Sequence, residues 1–269
     1  MKIAKLLITI FFSLLPILCN AQSSELNNLL ERAKDGSKSA IYSLGVIYAN
    51  GNGVKANRDT ANKFYEEAAS MNYAPAENNL GWSYREGLGV PKSPAAAVYW
   101  FRLAAIQGNP LALQNLAEMY IDGEGVPKRR DVAEDLYRLC AAQLFVTSAQ
   151  GNERGYNNAI HECRRELGKI IAVRSKDEQK ALRTAAFWFR ASLVDNYELK
   201  EDTETAIRTR RATKETLDLL ERIDAKLSKQ SKEWVESNLK NWDGLREYIQ
   251  DTTPFPLTEM ECTPEKMSL

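Results

Sequence analysis

The chain has 269 residues, 44% of them apolar and 27% charged, with 36 basic and 36 acidic side chains. That length suggests one or two domains and that composition an ordinary folded soluble protein, which excludes a disordered chain and a membrane bundle. A formal net charge of zero, with no basic stripe in the repeats described below, also argues against nucleic acid as a partner, since neutralising phosphates needs a concentrated excess of Lys and Arg.

The first 21 residues form an element of their own. Lys2 and Lys5 precede an apolar run from Leu6 to Leu18, followed by Cys19, Asn20 and Ala21. A charged start, an apolar stretch too short to span a bilayer and a small residue at the end predict a signal peptide cleaved after Ala21. A buried N-terminal helix is the alternative. Lipoprotein processing before Cys19 is disfavoured because Leu18, not a small residue, stands just ahead of it.

From residue 40 the sequence repeats itself with a period of 36, and the stretches beginning at Ala40, Ala76 and Ala112 superpose without a gap. Leu44-Gly45, Leu80-Gly81 and Leu116-Ala117 align, then Tyr48, Tyr84 and Tyr120, then the turns Gly51-x-Gly53-Val54, Gly87-x-Gly89-Val90 and Gly123-x-Gly125-Val126. Ala61, Ala97 and Ala133 follow, then Phe64, Trp100 and Leu136, and finally Ala68-Ala69, Ala104-Ala105 and Cys140-Ala141. Ala40, Leu44 and Tyr48 lie four apart and share one face of a first helix, as Ala61, Phe64 and Ala68 do for a second. The Gly-x-Gly between them ends the first helix, because glycine accepts the positive φ of a helix C-terminus, and Pro91 and Pro127 stop that helix from running on. Small residues at Gly45, Gly81, Ala68 and Ala104 allow close helix approach. One such hairpin cannot bury its own apolar face, so neighbouring hairpins must stack.

This pattern, A-x-x-x-L-G-x-x-Y-x-x-G-x-G-V followed by A-x-x-W/F-x-x-x-A-A, resembles the Sel-one-like repeat, a relative of the tetratricopeptide repeat, over residues 40 to 141. The resemblance implies an all-α, right-handed superhelical solenoid whose first helices line a concave surface. On that arrangement the side chains opposite the packed stripe face the groove: Tyr42, Val46 and Asn50 in the first unit, Asn78, Trp82, Arg85 and Glu86 in the second, Gln114, Glu118, Ile121 and Asp122 in the third. Trp82 and Arg85, three apart, are the types that anchor interfaces; packing of Trp82 against a neighbouring helix is the alternative. Glu86, Glu118 and Asp122 make the groove acidic and suited to a partner presenting Lys or Arg.

Beyond residue 142 the pattern decays. Leu167-Gly168 looks like a first helix and Ala185 to Ser192, with Trp188 in the place of Trp100, like a second, but the Gly-x-Gly turn is missing and about 15 extra residues, 144 to 158, precede them. The expected organisation is a signal peptide (1–21), a lead-in and three repeats (22–141), an insertion with a degenerate fourth repeat (142–198), a helical cap (199–250) and an extended tail (251–269). The cap is read as two helices from Ile207, Leu217, Leu220, Ile223 and Leu227, then Val235, Leu239, Trp242 and Ile249. It covers the last apolar face of the stack; a partner-binding coiled segment is the alternative, disfavoured because the apolar positions do not sustain heptads.

Three cysteines, Cys140, Cys163 and Cys262, remain after residue 21. Export to an oxidising compartment would let them pair. Cys140 stands where the second repeat has Ala104, and Cys163, four before Leu167, where the third has Ala112. Some members of the resembled family staple successive units at neighbouring positions, which implies a Cys140–Cys163 disulfide; two small buried residues are the alternative. Cys262 is left over, for an intermolecular bond or unpaired.

No catalytic constellation emerges, and neither a cofactor nor a metal site is expected. His161 is the only histidine, so a Ser-His-Asp triad has one candidate base and a zinc site one imidazole. Carboxylate pairs such as Glu66-Glu67 read as helix surface, and the Gly-x-Gly turns lack the strand before and the Lys-Ser/Thr after that a phosphate cradle needs. The resemblance implies a periplasmic protein–protein interaction module, not an enzyme, that binds and neutralises or regulates one partner, for example an immunity protein against a type VI secretion effector. The alternatives are an envelope assembly scaffold and a hydrolase of β-lactams or cell-wall peptides.

Overall fold

The computed structural model describes residues 26–142, 153–174, 178–193 and 204–240. Every regular element among them is helical. A short helix α1 (26–34) precedes α2 (Lys38–Asn50), α3 (Arg58–Ser70), α4 (Ala74–Glu86), α5 (Pro94–Ile106), α6 (Pro110–Asp122), α7 (Arg130–Ala141), α8 (Glu153–Arg174), α9 (Glu178–Leu193), α10 (Glu204–Asp224) and α11 (Lys229–Lys240). The chain divides into two compact units, one ending at Ala104 and one beginning at Ala105. The signal peptide, residues 143–152 of the insertion, Cys262 and the extended tail lie outside the described residues.

Each regular hairpin is closed by the same local chemistry. Gly51, Gly87 and Gly123 end α2, α4 and α6 at φ of 76°, 73° and 71°, and their amides donate to the carbonyls of Ile47, Ser83 and Met119. This left-handed cap satisfies a helix-terminal carbonyl at a φ that L side chains avoid. Nine residues after each repeat tyrosine, an amide donates back to that tyrosine's carbonyl: Asn57 to Tyr48 (2.8 Å), Ser93 to Tyr84 (2.8 Å) and Arg129 to Tyr120 (3.0 Å). The turn is thereby tied down, and the next helix starts at Asn57 and Ser93 under side-chain caps on Thr60 and Ala96.

In the first unit, Ala40, Leu44, Ala61, Ala68, Ala76 and Leu80 are essentially fully buried. The aromatic that fills the hairpin is one residue later than the aligned Phe64, Trp100 and Leu136: Tyr65, Phe101 and Tyr137 are buried, whereas Phe64 and Trp100 are half-buried. The reason is the glycine on the facing helix. A Cβ built on Gly45 would lie 2.5 Å from the Tyr65 ring, and one on Gly81 2.5 Å from the Phe101 ring. Asn62 binds the second repeat's turn, donating to the Leu88 carbonyl (2.7 Å) while accepting from the Ser83 hydroxyl (2.8 Å).

In the second unit α6 packs on α7, α7 on α8 and α8 on α9. The last pair has the same filling, since a Cβ on Gly168 would lie 2.9 Å from the Phe189 ring. Cys140 of α7 and Cys163 of α8 form a disulfide with Cα atoms 6.0 Å apart. Beside it, buried Arg164 donates to the C-terminal carbonyls of two helices, Ala141 (3.1 Å) and Ala191 (3.3 Å), a favourable place for a cation. Residues 153–158, expected in the insertion, instead extend α8 into a 22-residue helix. Helices α10 and α11 both contact α9 and bury Leu220, Ile223, Leu227 and Val235. Leu217, counted with their apolar positions, is 52% exposed.

Candidate binding surface

Because the core of each hairpin uses the Ala, Leu and Gly face of the first helix, the other face is left for contacts. In the first unit, Trp82 on α4 is 44% exposed, with the Arg85 guanidinium 5.9 Å from its ring centroid. Trp82 is thus a solvent-facing aromatic with a cation beside its ring, a pairing of residue types that anchor interfaces. Glu86 is exposed one residue further on. Tyr42 is half-buried, packs against Tyr65 (5.8 Å) and edge-on against Tyr73 (5.4 Å), and accepts from Asn79 (3.4 Å). Lys38 lies 5.7 Å from the Tyr73 ring centroid, extending this aromatic patch with a cation. Asn78 corrects the sequence reading: it is 6% exposed, so it offers no surface contact. The buried face of α4 is wider than a single stripe, taking in Pro75, Ala76, Glu77 and Asn78.

In the second unit, α6 presents Gln114 and Glu118, joined by a 3.1 Å hydrogen bond, then Ile121 half-buried and Asp122 exposed. Opposite them, α8 presents Glu162, Glu166 and Ile170, four apart and hence on one stripe. These three and Glu118, Ile121 and Asp122 of α6 line a cavity of about 290 Å³ with Tyr137 of α7. The electrostatics are those of a crowded acidic site. Burial pushes the Tyr137 hydroxyl pKa up, and Glu118, Glu166, Glu162 and Asp122 raise it further. Burial likewise raises the Glu162 carboxyl above the usual carboxylate range, against the opposing pull of Arg165, its ion-pair partner. Lys169 is held by Glu166 and Glu215, each at 2.9 Å.

Sequence reasoning named Glu118, Ile121 and Asp122 but missed Glu162, Glu166, Ile170 and Tyr137. The i, i+4, i+8 spacing of the α8 residues is a usable signal for one stripe, but no Gly-x-Gly turn fixes the register of that helix against α6. Three consecutive residues of α8 go to different surroundings: Cys163 is in the disulfide, Glu162 faces the acidic cavity and His161 is half-buried. Among the described residues no group of three or more His, Cys, Asp or Glu side chains is placed to hold a metal ion.

The raised Glu162 pKa has a stability consequence with a definite sign. A carboxyl whose folded pKa lies above its unfolded value contributes stability that is fully present below the unfolded pKa and is lost as pH rises through the folded one. Glu162→Gln is therefore expected to raise the urea midpoint at pH 7, with the gain vanishing near pH 4. An equal effect at both pH values would show that ionisation of Glu162 costs the fold nothing.

The Sel1 repeat family matches three consecutive segments, residues 38–73, 74–109 and 110–143. Residues 38–143 thus match the Sel1 repeat three times in succession. A solved Sel1 repeat protein from Oxalobacter formigenes is similar at 21% identity and a TM-score of 0.51, over 74% of this chain and 86% of that one. A protective antigen present in uropathogenic Escherichia coli strains, described as displaying the same repeat fold, is 24% identical with a TM-score of 0.42, over 70% of this chain and 48% of that one. Comparison with curated proteins gives no match. The chain thus has the helical Sel1-repeat solenoid architecture, and Sel1 repeats are modules of protein–protein interaction. The acidic cavity is of particular interest because its α8 wall lies beyond the last matched Sel1 repeat.

Proposed function

We propose that this chain is an exported binding protein that captures one specific protein partner in the periplasm and neutralises or regulates it, with immunity against a type VI secretion effector as the leading case. The observation that carries the binding reading is the exposed Trp82 with Arg85 over its ring on a first helix. Tryptophan and arginine dominate the energetics of protein interfaces, and a large apolar side chain in water is a cost that a partner would relieve. Export is supported by the charged and apolar run of residues 1–21 and by the Cys140–Cys163 disulfide, a bond that persists in oxidising compartments. No helix among the described residues is long and apolar enough to cross a membrane.

We also read α8 and α9 as a fourth repeat with a lengthened first helix, on the Gly168–Phe189 packing that parallels Gly81–Phe101. Helices α10 and α11 then act as the cap.

Affinity purification from periplasmic extract, followed by mass spectrometry, tests the proposal. One stoichiometric protein partner is expected, and the double change Trp82→Ala plus Arg85→Ala should weaken its binding by about tenfold or more with helicity unchanged. A partner that is a secreted toxin supports neutralisation, whereas a structural envelope component points to the scaffold alternative. Hydrolysis of β-lactams or cell-wall peptides that is lost on changing Glu118 or His161 would overturn the binding reading.

A further inference from the structure

A second, larger cavity adjoins the acidic one. The two share Ile121 of α6 and Ile170 of α8 as a common wall, and the second, of about 590 Å³, is lined in addition by Lys128, Arg129, Arg130, Asp131, Glu134 and Lys169. One groove thus has an acidic end and a basic end, with two half-buried isoleucines at its waist.

Much of its charge is cancelled internally. Arg129 is held bidentate by Asp131, which it keeps ionised with a pKa down at about 2. Glu162 is paired with Arg165, and Lys169 with Glu166 and Glu215. Three exposed side chains are different. Asp122 at one end, and Lys128 and Arg130 at the other, form no ion pair with any described residue.

We infer that this groove takes a short segment of the protein partner in which an apolar side chain is flanked by a basic residue on one side and an acidic residue on the other. The inference rests on the reading of the chain as a protein-binding module and specifies what part of a partner it recognises. The apolar side chain seats between Ile121 and Ile170, its Lys or Arg meets Asp122 and the carboxylates of the acidic end, and its Asp or Glu meets Lys128 and Arg130. Each end rejects what the other attracts, so a polyanion is repelled by the acidic end and a polycation by the basic one. A metal ion does not account for the carboxylates, which are not grouped closely enough to ligate one. The disulfide supports the groove directly, since Cys163 is the residue after Glu162 and pins α8 to α7.

The test uses the protein recovered from the periplasm with its isoleucine methyls carbon-13 labelled, and a fluorescent peptide of pattern Lys-Arg-Ser-Leu-Ser-Glu-Asp. The peptide is expected to shift the Ile121 and Ile170 methyl signals. Asp122→Lys, and separately Lys128→Glu with Arg130→Glu, should each weaken binding about tenfold at low salt, all three sites being exposed and the fold indifferent to them. A control peptide with Ser for Leu, and one with acidic residues on both flanks, should leave both methyls unmoved. The inference is overturned if the parent peptide moves neither methyl, if the all-acidic peptide binds as well, or if the two methyls shift with protein concentration alone, which would make the groove a self-contact. A natural partner that depends on Trp82 and Arg85 but ignores the three charge reversals would sink this inference and leave the proposed function standing; absence of any protein partner would sink both.

Discussion

Converting both Cys140 and Cys163 to alanine is expected to lower the unfolding free energy by about 3 kcal/mol, the amount that cross-linking a loop of this length removes from the unfolded chain in the chain-entropy description. The two residues are 23 apart in sequence, and the segment between them holds residues 143–152 and the start of α8. Alanine is the appropriate replacement, because Ala104 and Ala112 occupy the aligned positions of the regular repeats and a small apolar side chain suits two fully buried sites. The loss should therefore report the cross-link and not a misfit. Chemical denaturation of the variant and the oxidised wild type measures it, and a difference below about 1 kcal/mol would mean that packing and Arg164 hold α8 in place without the bond. Reduction of the wild type should reproduce the variant, since the disulfide is the only change the reductant makes among the described residues.

Phe101→Ala is expected to cost about 3–5 kcal/mol, as for other fully buried aromatic rings. Gly81→Ala alone should cost about 1–3 kcal/mol, because the new methyl falls 2.5 Å from that ring and neither helix can retreat without disturbing its neighbours. The informative variant is the double one. With the ring gone the methyl has room, and alanine is worth about 1 kcal/mol more than glycine inside a helix. Gly81→Ala should therefore become neutral or stabilising in the Phe101→Ala background, a coupling of opposite sign to the single effect. If the two changes simply add, the glycine is not there to admit the ring, and the repeated glycine–aromatic pairing has another cause.

The period of 36, the helix-breaking glycines and the four-residue spacing of Ala, Leu and Tyr determined the repeat architecture without any structure. These are local devices: a positive φ, a helical period and a small residue act within a few positions of where they stand, so one sequence displays them. The Cys140–Cys163 pairing was legible for a related reason, since the repeat register carries each residue to a known helix face. Other features depended on neighbours far along the chain. That Tyr65 and Phe101, not Phe64 and Trp100, fill the hairpins is decided by which ring meets the facing glycine, and both candidates look alike in sequence. Asn78 is buried although its position on the helix suggested a surface, because α4 is covered more widely than one stripe. The spacing of Glu162 and Glu166 marks a stripe, but that it faces Glu118 and Asp122 became visible only once α8 was set beside α6, where no Gly-x-Gly turn marks the register. Only the tertiary structure decides which side chains of two helices separated by another helix and the insertion share one groove, because burial and charge there belong to the pair and not to either segment alone.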